Sequence, residues 1–434
     1  MITPDRFERE LPGLFDELAT ARTPDYLDDV VQRSERMRQR PAWTFPERWL
    51  PMSAISERMA TAPRVPLRAV ALVAILVLAL VAAAAYVGSQ QHRLPSPFGV
   101  AGNGRIAYSS GGDIYTADPV TGQAKAIVTG PEWDKNPIFS RDGTKIAFRR
   151  QGAHLTQFDI VVVDADGGHL RLVNTEPMSD QDPLEWTADS SGLLALTAGE
   201  QIIRLDASKQ APPTILASHV DAEGATLWIG HVRPPDGSQV LFRRTDDSGA
   251  SIYVMNADGS GARPLIRKDP TTATADDFDR FSYSPDGTKI AFLETVGEAP
   301  RVFIMNADGS GVRRLENEPG NWNTADFAWS PDSTRIAFNR WHQKADDTWE
   351  TLPIGVASVS GGPVVGVGPT PVSEGAVFDW SPDGSTIISL PGPVYDGTPN
   401  GTTAKPIAIN ASTGESHELA VDMQSATSWQ RLAP

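Results

Sequence analysis

Aspartate-rich segments are the residues of this sequence that most resemble ligands for a metal ion. Asp164-Ala165-Asp166-Gly167, Asn256-Ala257-Asp258-Gly259 and Asn306-Ala307-Asp308-Gly309 each begin like the calcium-binding loop of an EF-hand. None continues to the bidentate glutamate that such a loop requires. The same residues between alternating apolar runs are typical of β-hairpin turns. The sequence therefore predicts hairpins at these positions and no metal site.

Residue types that support catalysis are present, but their spacing is not that of a catalytic site. The histidines, at positions 92, 154, 169, 219, 231, 342 and 417, never fall four residues apart as in a His-Glu-x-x-His zinc site. The sequence has no Gly-x-Ser-x-Gly nucleophile elbow. It also has no cysteine, which excludes cysteine-based zinc sites and disulfides. We therefore expect no enzymatic activity and no cofactor.

The positions of these turns follow from an internal repeat. The stretch Ser284-Pro285-Asp286-Gly287-Thr288-Lys289-Ile290-Ala291-Phe292 is one of six copies of a repeat that varies in sequence. The turn aspartates of the copies are separated by 47, 47, 50, 46 and 51 residues, and they are Asp142, Asp189, Asp236, Asp286, Asp332 and Asp383. A period of this size indicates stacked supersecondary units.

Each period contains two predicted hairpins and therefore four strands. An apolar strand leads into the Pro-Asp-Gly turn and a second strand follows; downstream, runs such as Ile252-Tyr253-Val254-Met255 flank the Asn-Ala-Asp-Gly turn. Four strands in roughly 45 residues are typical of a β-propeller blade. In successive repeats, the last residue of the first predicted strand is Phe139, Trp186, Arg233, Tyr283, Trp329, Trp380 and Trp429. We interpret these aromatic residues as packing between blades, with Arg233 as the exception in a divergent fourth blade.

The two ends of the repeat region complement each other. Arg105-Ile106-Ala107-Tyr108 resembles a second strand with no first strand before it, and Thr427-Ser428-Trp429-Gln430 resembles a first strand with nothing after it. The sequence therefore predicts an all-β, seven-bladed propeller in which the C-terminal strand completes the N-terminal blade, which removes the open sheet edges. A short α-helical segment and one transmembrane helix are predicted to precede it.

The repeat region resembles the TolB-type family of propellers. The Ser-Pro-Asp-Gly-Thr-Lys-Ile-Ala-Phe motif and the Met-Asn-Ala-Asp-Gly-Ser-Gly turns carry the resemblance, which covers about residues 100–434. It implies the fold and says little about activity, since one fold hosts many functions. TolB itself has a different N-terminal domain, so its partner lipoprotein is not implied here.

An apolar segment precedes the repeats. Ala69 to Val87 contains 19 residues without a charged or strongly polar side chain, enough to cross a bilayer as a helix. The alternative of a cleaved signal peptide is disfavoured, because 68 residues with many charges come before it. The predicted domains are a cytoplasmic helical region at 1–66, a transmembrane helix at 67–88, a tether at 89–103 and the propeller at 104–434.

Charge sets the expected orientation and excludes one class of partner. Four arginines lie in the 21 residues before the span and two in the 20 residues after it, so the positive-inside rule places the N-terminus in the cytoplasm and the propeller on the outer side of the membrane. Residues 1–68 hold 11 basic and 11 acidic residues, so the net charge of −16 belongs to the remainder. The propeller is therefore not expected to bind nucleic acid, which requires a basic surface.

The cytoplasmic region carries a possible docking surface. Apolar residues at helical spacing, followed by aromatic residues in a proline-rich stretch, form the candidate set Phe7, Leu11, Leu14, Phe15, Leu18, Trp43 and Trp49. Two short amphipathic helices bury little by themselves, so the region either binds a cytoplasmic protein or forms a loosely folded stretch beside the membrane. The layout resembles a membrane-bound anti-sigma factor, although the His/Cys zinc motif often found in such proteins is absent.

The candidate ligand-binding residues of the propeller lie on the face opposite the Pro-Asp-Gly turns, which we call the loop face. The predicted long loops there are 149–158, 267–280, 316–325, 339–351 and 391–403, and the candidate residues are Arg150, Arg244, Arg340, Trp322, Trp341, His342 and Trp349. Exposed tryptophan and arginine often anchor interfaces. The alternative is a solvated rim with locally packed tryptophans.

The sequence as a whole therefore predicts a single-span membrane protein with a non-catalytic propeller outside the membrane. Its loop face is expected to bind a protein, peptide or glycan, and residues 1–66 to signal to a cytoplasmic partner. Two alternatives stay open: an envelope-assembly scaffold with a passive anchor, and a propeller subunit of a peptidase or hydrolase system.

Overall fold

The chain divides into two compact units, Met1–Gln91 and His92–Pro434. The computed structural model describes Ile75, Val77 and residues 94–433, except for 152–156, 177, 179–183, 198, 219–225, 248, 269–270, 272–276, 279, 298, 317–321, 345–348, 371–376, 391–402 and 426. The predicted cytoplasmic helices at 1–66 lie outside the described residues, as does the predicted span at 67–88 apart from Ile75 and Val77, which are helical. Among the residues that are described, no helix has the length and apolarity needed to cross a membrane.

Within the described part of the second unit, four-stranded antiparallel sheets follow one another along the chain, and we number these blades in chain order. Blade 1 contains β1 (Gly102–Ser110), β2 (Asp113–Ala117), β3 (Ala124–Val128) and the last strand, β28 (Ser428–Leu432). Blade 2 contains β4 (Asp134–Phe139), β5 (Lys145–Gln151), β6 (Phe158–Asp164) and β7 (Arg171–Leu172). Blade 3 contains β8 (Glu185–Trp186), β9 (Gly192–Leu196), β10 (Gln201–Asp206) and β11 (Thr214–Ser218).

The other four blades have the same order of strands. Blade 4 contains β12 (Thr226–Val232), β13 (Gln239–Asp246), β14 (Gly249–Asn256) and β15 (Arg263–Arg267). Blade 5 contains β16 (Phe281–Tyr283), β17 (Lys289–Val296), β18 (Ala299–Asn306) and β19 (Arg313–Arg314). Blade 6 contains β20 (Phe327–Trp329), β21 (Arg335–Gln343), β22 (Trp349–Ser358) and β23 (Val365–Val367), and blade 7 contains β24 (Val377–Trp380), β25 (Thr386–Leu390), β26 (Ile407–Asn410) and β27 (Ser416–Glu418).

The N- and C-terminal ends of the ring meet in blade 1. Strand β28 pairs antiparallel with β1, with Ile106 opposite Trp429 and Ala107 opposite Ser428. The order β28-β1-β2-β3 makes this blade equivalent to the other six sheets. The predicted seven-bladed all-β propeller, closed by its C-terminal strand, is confirmed.

The repeated turn is held together by a buried serine hydroxyl. In blades 2, 5, 6 and 7 this hydroxyl donates to the turn aspartate at 2.5–2.6 Å. It also accepts the amide of the residue that begins the next strand at 2.9–3.0 Å. A side chain that satisfies both a strand amide and a carboxylate explains why serine and aspartate recur two positions apart, since a buried polar group needs a partner. The serines are Ser140, Ser284, Ser330 and Ser381, and none is more than 1% exposed.

The turns also join neighbouring blades. The amide of Asp142 donates to Ser190 Oγ of the next blade at 3.1 Å, and the amide of Asp383 donates to Asn103 Oδ1 of blade 1 at 3.0 Å. The apolar core lies between blades, because single clusters contain side chains from two sheets, such as Val162 of blade 2 with Leu193 of blade 3. We call the boundary between two neighbouring blades a seam.

Aromatic residues at the end of the first strand fill these seams, as the sequence predicted. The indole of Trp186 donates to the carbonyl of Ile138 at 3.2 Å, and the indole of Trp380 donates to the carbonyl of Ala328 at 3.1 Å. Each bond runs from one blade to the preceding one. Such a tryptophan therefore contributes both apolar burial and a hydrogen bond across its seam.

The assignment of Arg233 to this aromatic position is wrong. Val232 stands there, because it pairs with Val240 as Trp186 pairs with Leu193. Arg233 instead begins the turn, and its amide donates to the carbonyl of Gln239. The equivalent hydrogen bond of blade 2 joins Ser140 to Lys145, five positions apart, whereas Arg233 and Gln239 lie six positions apart. This extra residue shifted the motif-based alignment by one position.

Removal of the aromatic group that closes the ring is expected to destabilise the fold strongly. Trp429 is 7% exposed, so Trp429→Ala should lower the free energy of unfolding by about 3–5 kcal/mol through lost burial and a cavity. Leu432→Ala is the matched control on the same strand, because Leu432 is 42% exposed and should cost less than about 1 kcal/mol. Urea unfolding of the full-length protein in detergent measures both values. Equal destabilisation by the two substitutions would contradict closure through Trp429.

Candidate binding surfaces of the ring

The three candidate arginines of the loop face are engaged within their own blades. Arg150 donates two hydrogen bonds to the Asp134 carboxylate, at 2.8 and 2.7 Å. Arg244 Nε lies 2.8 Å from Asp246 Oδ2. Arg340 is buried and donates to the carbonyl of Pro353 at 3.0 Å. These guanidinium groups lie in blades 2, 4 and 6, which are not neighbours, and each contributes to the structure of its own sheet.

The aromatic candidates come together in blade 6. The rings of Trp322 and His342 lie 4.4 Å apart, nearly perpendicular, in an edge-to-face contact. Asn323, next to Trp322, forms a two-way backbone bridge with Trp341. Trp322, Trp341 and His342 are all partly exposed. The structure therefore groups three of the predicted residues on one part of the ring.

Two charged residues complete this group. His342 Nε2 and Lys344 Nζ each lie 3.7 Å from a carboxylate oxygen of Glu350. We call Trp322, Trp341, His342, Lys344 and Glu350 the blade 6 patch. Trp349 begins β22 and pairs with Gln343, but its side chain lies outside the part of the chain that the structure describes.

The docking residues predicted in the cytoplasmic region have no described structure. Phe7, Leu11, Leu14, Phe15, Leu18, Trp43 and Trp49 all lie outside the described residues. Their role stays a prediction from the sequence.

A second group of charged side chains lies near the centre of the ring. A cavity of about 230 Å³ is lined by residues of blades 1, 2, 5, 6 and 7, including Arg141, Asp379 and Arg431. Arg141 forms an ion pair with Glu185 of blade 3, and His231 Nδ1 of blade 4 lies 3.5 Å from the same carboxylate. Residues from all seven blades thus meet around one axis, and we call this region the central channel.

Sequence reasoning missed these central residues, although the sequence contained a signal for them. Glu185, His231 and Asp379 each directly precede the seam-facing residue at the end of a first strand. Because side chains alternate along a strand, the preceding residue points away from that seam. The position before each aromatic residue therefore indicates which side chains line the channel.

Burial gives two of the central groups altered proton affinities. Burial raises the pKa of Asp379 to about 7, although the amide of Trp380 donates to this carboxyl and opposes the shift. Burial and the nearby charge of Arg141 lower the pKa of Arg431 to about 10. Near neutral pH the channel therefore contains a carboxyl group that titrates between two arginines.

A segment before the first strand crosses the channel on the turn side. Arg431 donates to the carbonyls of Ser96 and Gly99, at 3.0 and 2.7 Å, and the amide of Ala101 donates to Pro382. The Phe98 ring lies under the Arg141 guanidinium at 4.6 Å. Residues 94–103 of the predicted tether are thus in contact with the ring, and β1 begins at Gly102.

The aspartate-rich turns are engaged in their own hairpins. Asp258 Oδ1 accepts both the amide and the hydroxyl of Ser260, and Asp308 does the same with Ser310. This agrees with the interpretation of these segments as turns. Among the described residues there is no group of three or more histidine, aspartate or glutamate side chains that could hold a metal ion.

Comparison with known proteins identifies the fold. No protein-family model matches the sequence, and no curated protein matches it. A prolyl endopeptidase structure is 14% identical to this chain, with a TM-score of 0.52. The match covers 76% of this chain and 50% of the endopeptidase, so this chain spans about half the length of the endopeptidase. An oligogalacturonate lyase from Vibrio parahaemolyticus is 12% identical over 74% of this chain and 85% of the lyase, with a TM-score of 0.51.

TolB proteins are also among the similar structures. TolB from Acinetobacter baumannii is 16% identical over 75% of this chain and 81% of TolB, with a TM-score of 0.44. At their identities, the matches to the endopeptidase and the lyase show a shared fold alone.

Titration of Asp379 should make stability depend on pH. The carboxyl has a pKa of about 7 in the folded chain against 3.8 for the free group, so the folded state holds the proton more tightly. The contribution of this carboxyl group to the free energy of unfolding is complete below about pH 4. It decreases by up to about 1.4 kcal/mol per pH unit as the pH rises to about 7. Asp379→Asn should remove this component. Urea unfolding of both proteins between pH 4 and 8 measures the difference, and parallel stability curves would contradict the assignment.

Proposed function

We propose that this chain is a single-span membrane protein whose propeller is a non-catalytic, extracytoplasmic binding module. Three features support this proposal: the apolar segment from Ala69 to Val87, the excess of arginine before it, and a closed ring that presents the blade 6 patch. The ligand class that fits the patch is a protein, peptide or glycan. The contact between Trp322 and His342 is the observation that carries the binding role.

The blade 6 patch has the composition of an interface anchor. Tryptophan offers a large apolar face with one polar atom, and it is enriched among residues that dominate binding energy. The edge-to-face contact with His342 holds the Trp322 ring in place, and a ring that is already ordered loses little entropy on binding. Glu350 and Lys344 supply both signs of charge at the border of the patch. The patch therefore suits a ligand with an apolar face and polar groups around it.

The proposal includes no catalytic step. In the channel Arg141 is paired with Glu185 and Arg431 donates to backbone carbonyls, and the sequence has no recognisable nucleophile motif. The propeller fold is also found in a prolyl endopeptidase and in an oligogalacturonate lyase, so the fold does not decide this point. The proposal rests on the residues of this chain.

Substitution in the patch should abolish binding without affecting the fold. Full-length protein in detergent is screened against immobilised peptides and glycans, and we expect it to bind a set of these ligands. The Trp322→Ala variant should bind the same ligands about tenfold or more weakly, the effect typical of an anchor residue. Val120→Ala is the control, because Val120 is 82% exposed in the turn between β2 and β3 on the opposite face. Equal loss in both variants, or no change in Trp322→Ala, would reject the patch as the binding site.

The membrane and signalling parts of the proposal have their own test. Full-length protein should stay in the membrane after alkaline extraction, and external protease on intact cells should digest the propeller while an N-terminal tag stays protected. Replacement of residues 1–66 by an unrelated tail of equal net charge should abolish a cellular response that depends on the chain. A response that survives the replacement would favour the scaffold alternative.

A further inference from the structure

The seam between blades 3 and 4 contains a cavity that the repeat does not require. Its volume is about 500 Å³, within the range of small-molecule pockets. The two blades touch beside it: a Cβ at Gly237 would lie 2.8 Å from Ala188 Cβ, and one at Gly259 would lie 2.5 Å from the Leu216 carbonyl oxygen. The blades are therefore in contact at the border of the cavity, and buried side chains of both blades form one apolar cluster beside it.

The cavity lies where the repeat has Val232 in place of the usual aromatic residue. Trp186 and Trp380 reach across their seams to the preceding blade, whereas Val232 at the equivalent position is too short to do so. The longer turn of blade 4 places Asp236 and Gly237 at the border of the same cavity. The missing ring volume and the extra residue together explain why a cavity forms at this seam.

The lining of the cavity has an apolar interior and an acidic border. Leu194 and Leu216 of blade 3 and Val232 and Val240 of blade 4 are buried side chains that line it. Leu194 and Val240 come from second strands, so the cavity reaches below the turns. Neighbouring cavities, such as the one between blades 4 and 5, are lined mainly by turn residues.

Three carboxylates and one arginine border the opening. Asp189, Asp236 and Asp258 are exposed turn residues from the two blades, and Arg204 donates to Ser191 Oγ at 2.9 Å. At neutral pH these four groups carry a net charge of −2, the sum of three negative charges and one positive charge. An apolar interior alone would accept any hydrophobic group, and the acidic border selects for a positive one.

The carboxylates at the border are stably ionised. Burial works against ionisation of Asp189, but hydrogen bonds from Thr187 and Ser191 more than offset it, so its pKa lies below its usual value. Hydrogen bonds from the amide and hydroxyl of Ser238 lower the pKa of Asp236. The border therefore stays negative at neutral and mildly acidic pH.

We propose that this cavity, which we call the seam pocket, binds a small organic cation with an apolar body. The hydrocarbon part lies against Leu194, Leu216 and Val240, and the ammonium or guanidinium group lies at the carboxylates of Asp236 and Asp258. The seam pocket is on the turn face between blades 3 and 4, and it is separate from the blade 6 patch. Its ligand is independent of the binding function proposed above.

The first test compares three probes of nearly equal shape. Isothermal titration of the full-length protein in detergent uses 4-phenylbutylamine, the neutral 4-phenylbutanol and the anionic 4-phenylbutyrate. We expect the amine to bind roughly three- to tenfold more tightly than the alcohol, as for two partly exposed ion pairs, and the anion not to bind. Equal affinity of amine and alcohol would overturn the charge part of the proposal. No detectable binding of the amine would overturn the small-ligand assignment.

The second test uses matched variants. Val232→Trp should fill the pocket and abolish amine binding, whereas Val365→Trp, at a position that is 57% exposed in blade 6, should leave it unchanged. Asp258→Asn should weaken amine binding about two- to fivefold, as expected for one exposed ion pair. Asp308→Asn is its control, because the turns around Asp258 and Asp308 have nearly identical sequences and hydrogen bonds.

The aspartate pair keeps the proposal testable if Val232→Trp does not fold. A decrease in affinity with Asp258→Asn and none with Asp308→Asn would support the seam pocket. Equal effects of the two substitutions, or unchanged affinity in a folded Val232→Trp protein, would overturn it.

Discussion

The pairing of β28 with β1 is the contact on which the ring depends. It joins Trp429 to Ile106 across more than three hundred residues of sequence. The entropic cost of closing such a loop grows only with the logarithm of its length, whereas closure buries apolar side chains along a whole seam. Trp429 packs in one cluster with Ile388 and Leu390 of blade 7, so the same strand completes blade 1 and covers its neighbour. Without it, two sheet edges and one apolar seam would face water.

The repeated turn explains how an acidic protein can have many aspartates without a described metal site. In the turn of blade 7, Asp383 Oδ1 accepts the Ser381 hydroxyl together with the amide and hydroxyl of Ser385, so this oxygen is engaged within the turn. The same carboxylates give the turn face its negative charge. The surface charge of this face thus results from the aspartates that the turns require. It selects for a ligand only where an apolar cavity lies beside it, as in the seam pocket.

The central channel and the seams use alternate residues of the same short strands. In β24, Trp380 packs into a seam while Asp379 before it lies in the channel. The packing that stabilises the ring therefore also places ionisable groups at its centre, where burial changes their pKa. Segment 94–101 crosses this centre through Arg431 and Phe98, so the chain before β1 contributes to the turn side of the channel.

The sequence alone determined the number of blades, their turns and the closing strand, because each depends on local chemistry repeated at a regular spacing. It misplaced Arg233, since one additional turn residue is invisible to motif spacing and shows itself only when Val232 pairs with Val240. The candidate site was predictable only in part. Trp322 and His342 lie twenty residues apart, and only the folding of β21 beside the preceding loop brings their rings into contact. The seam pocket and the central channel were decided by tertiary structure, because each forms between blades and no single repeat contains it.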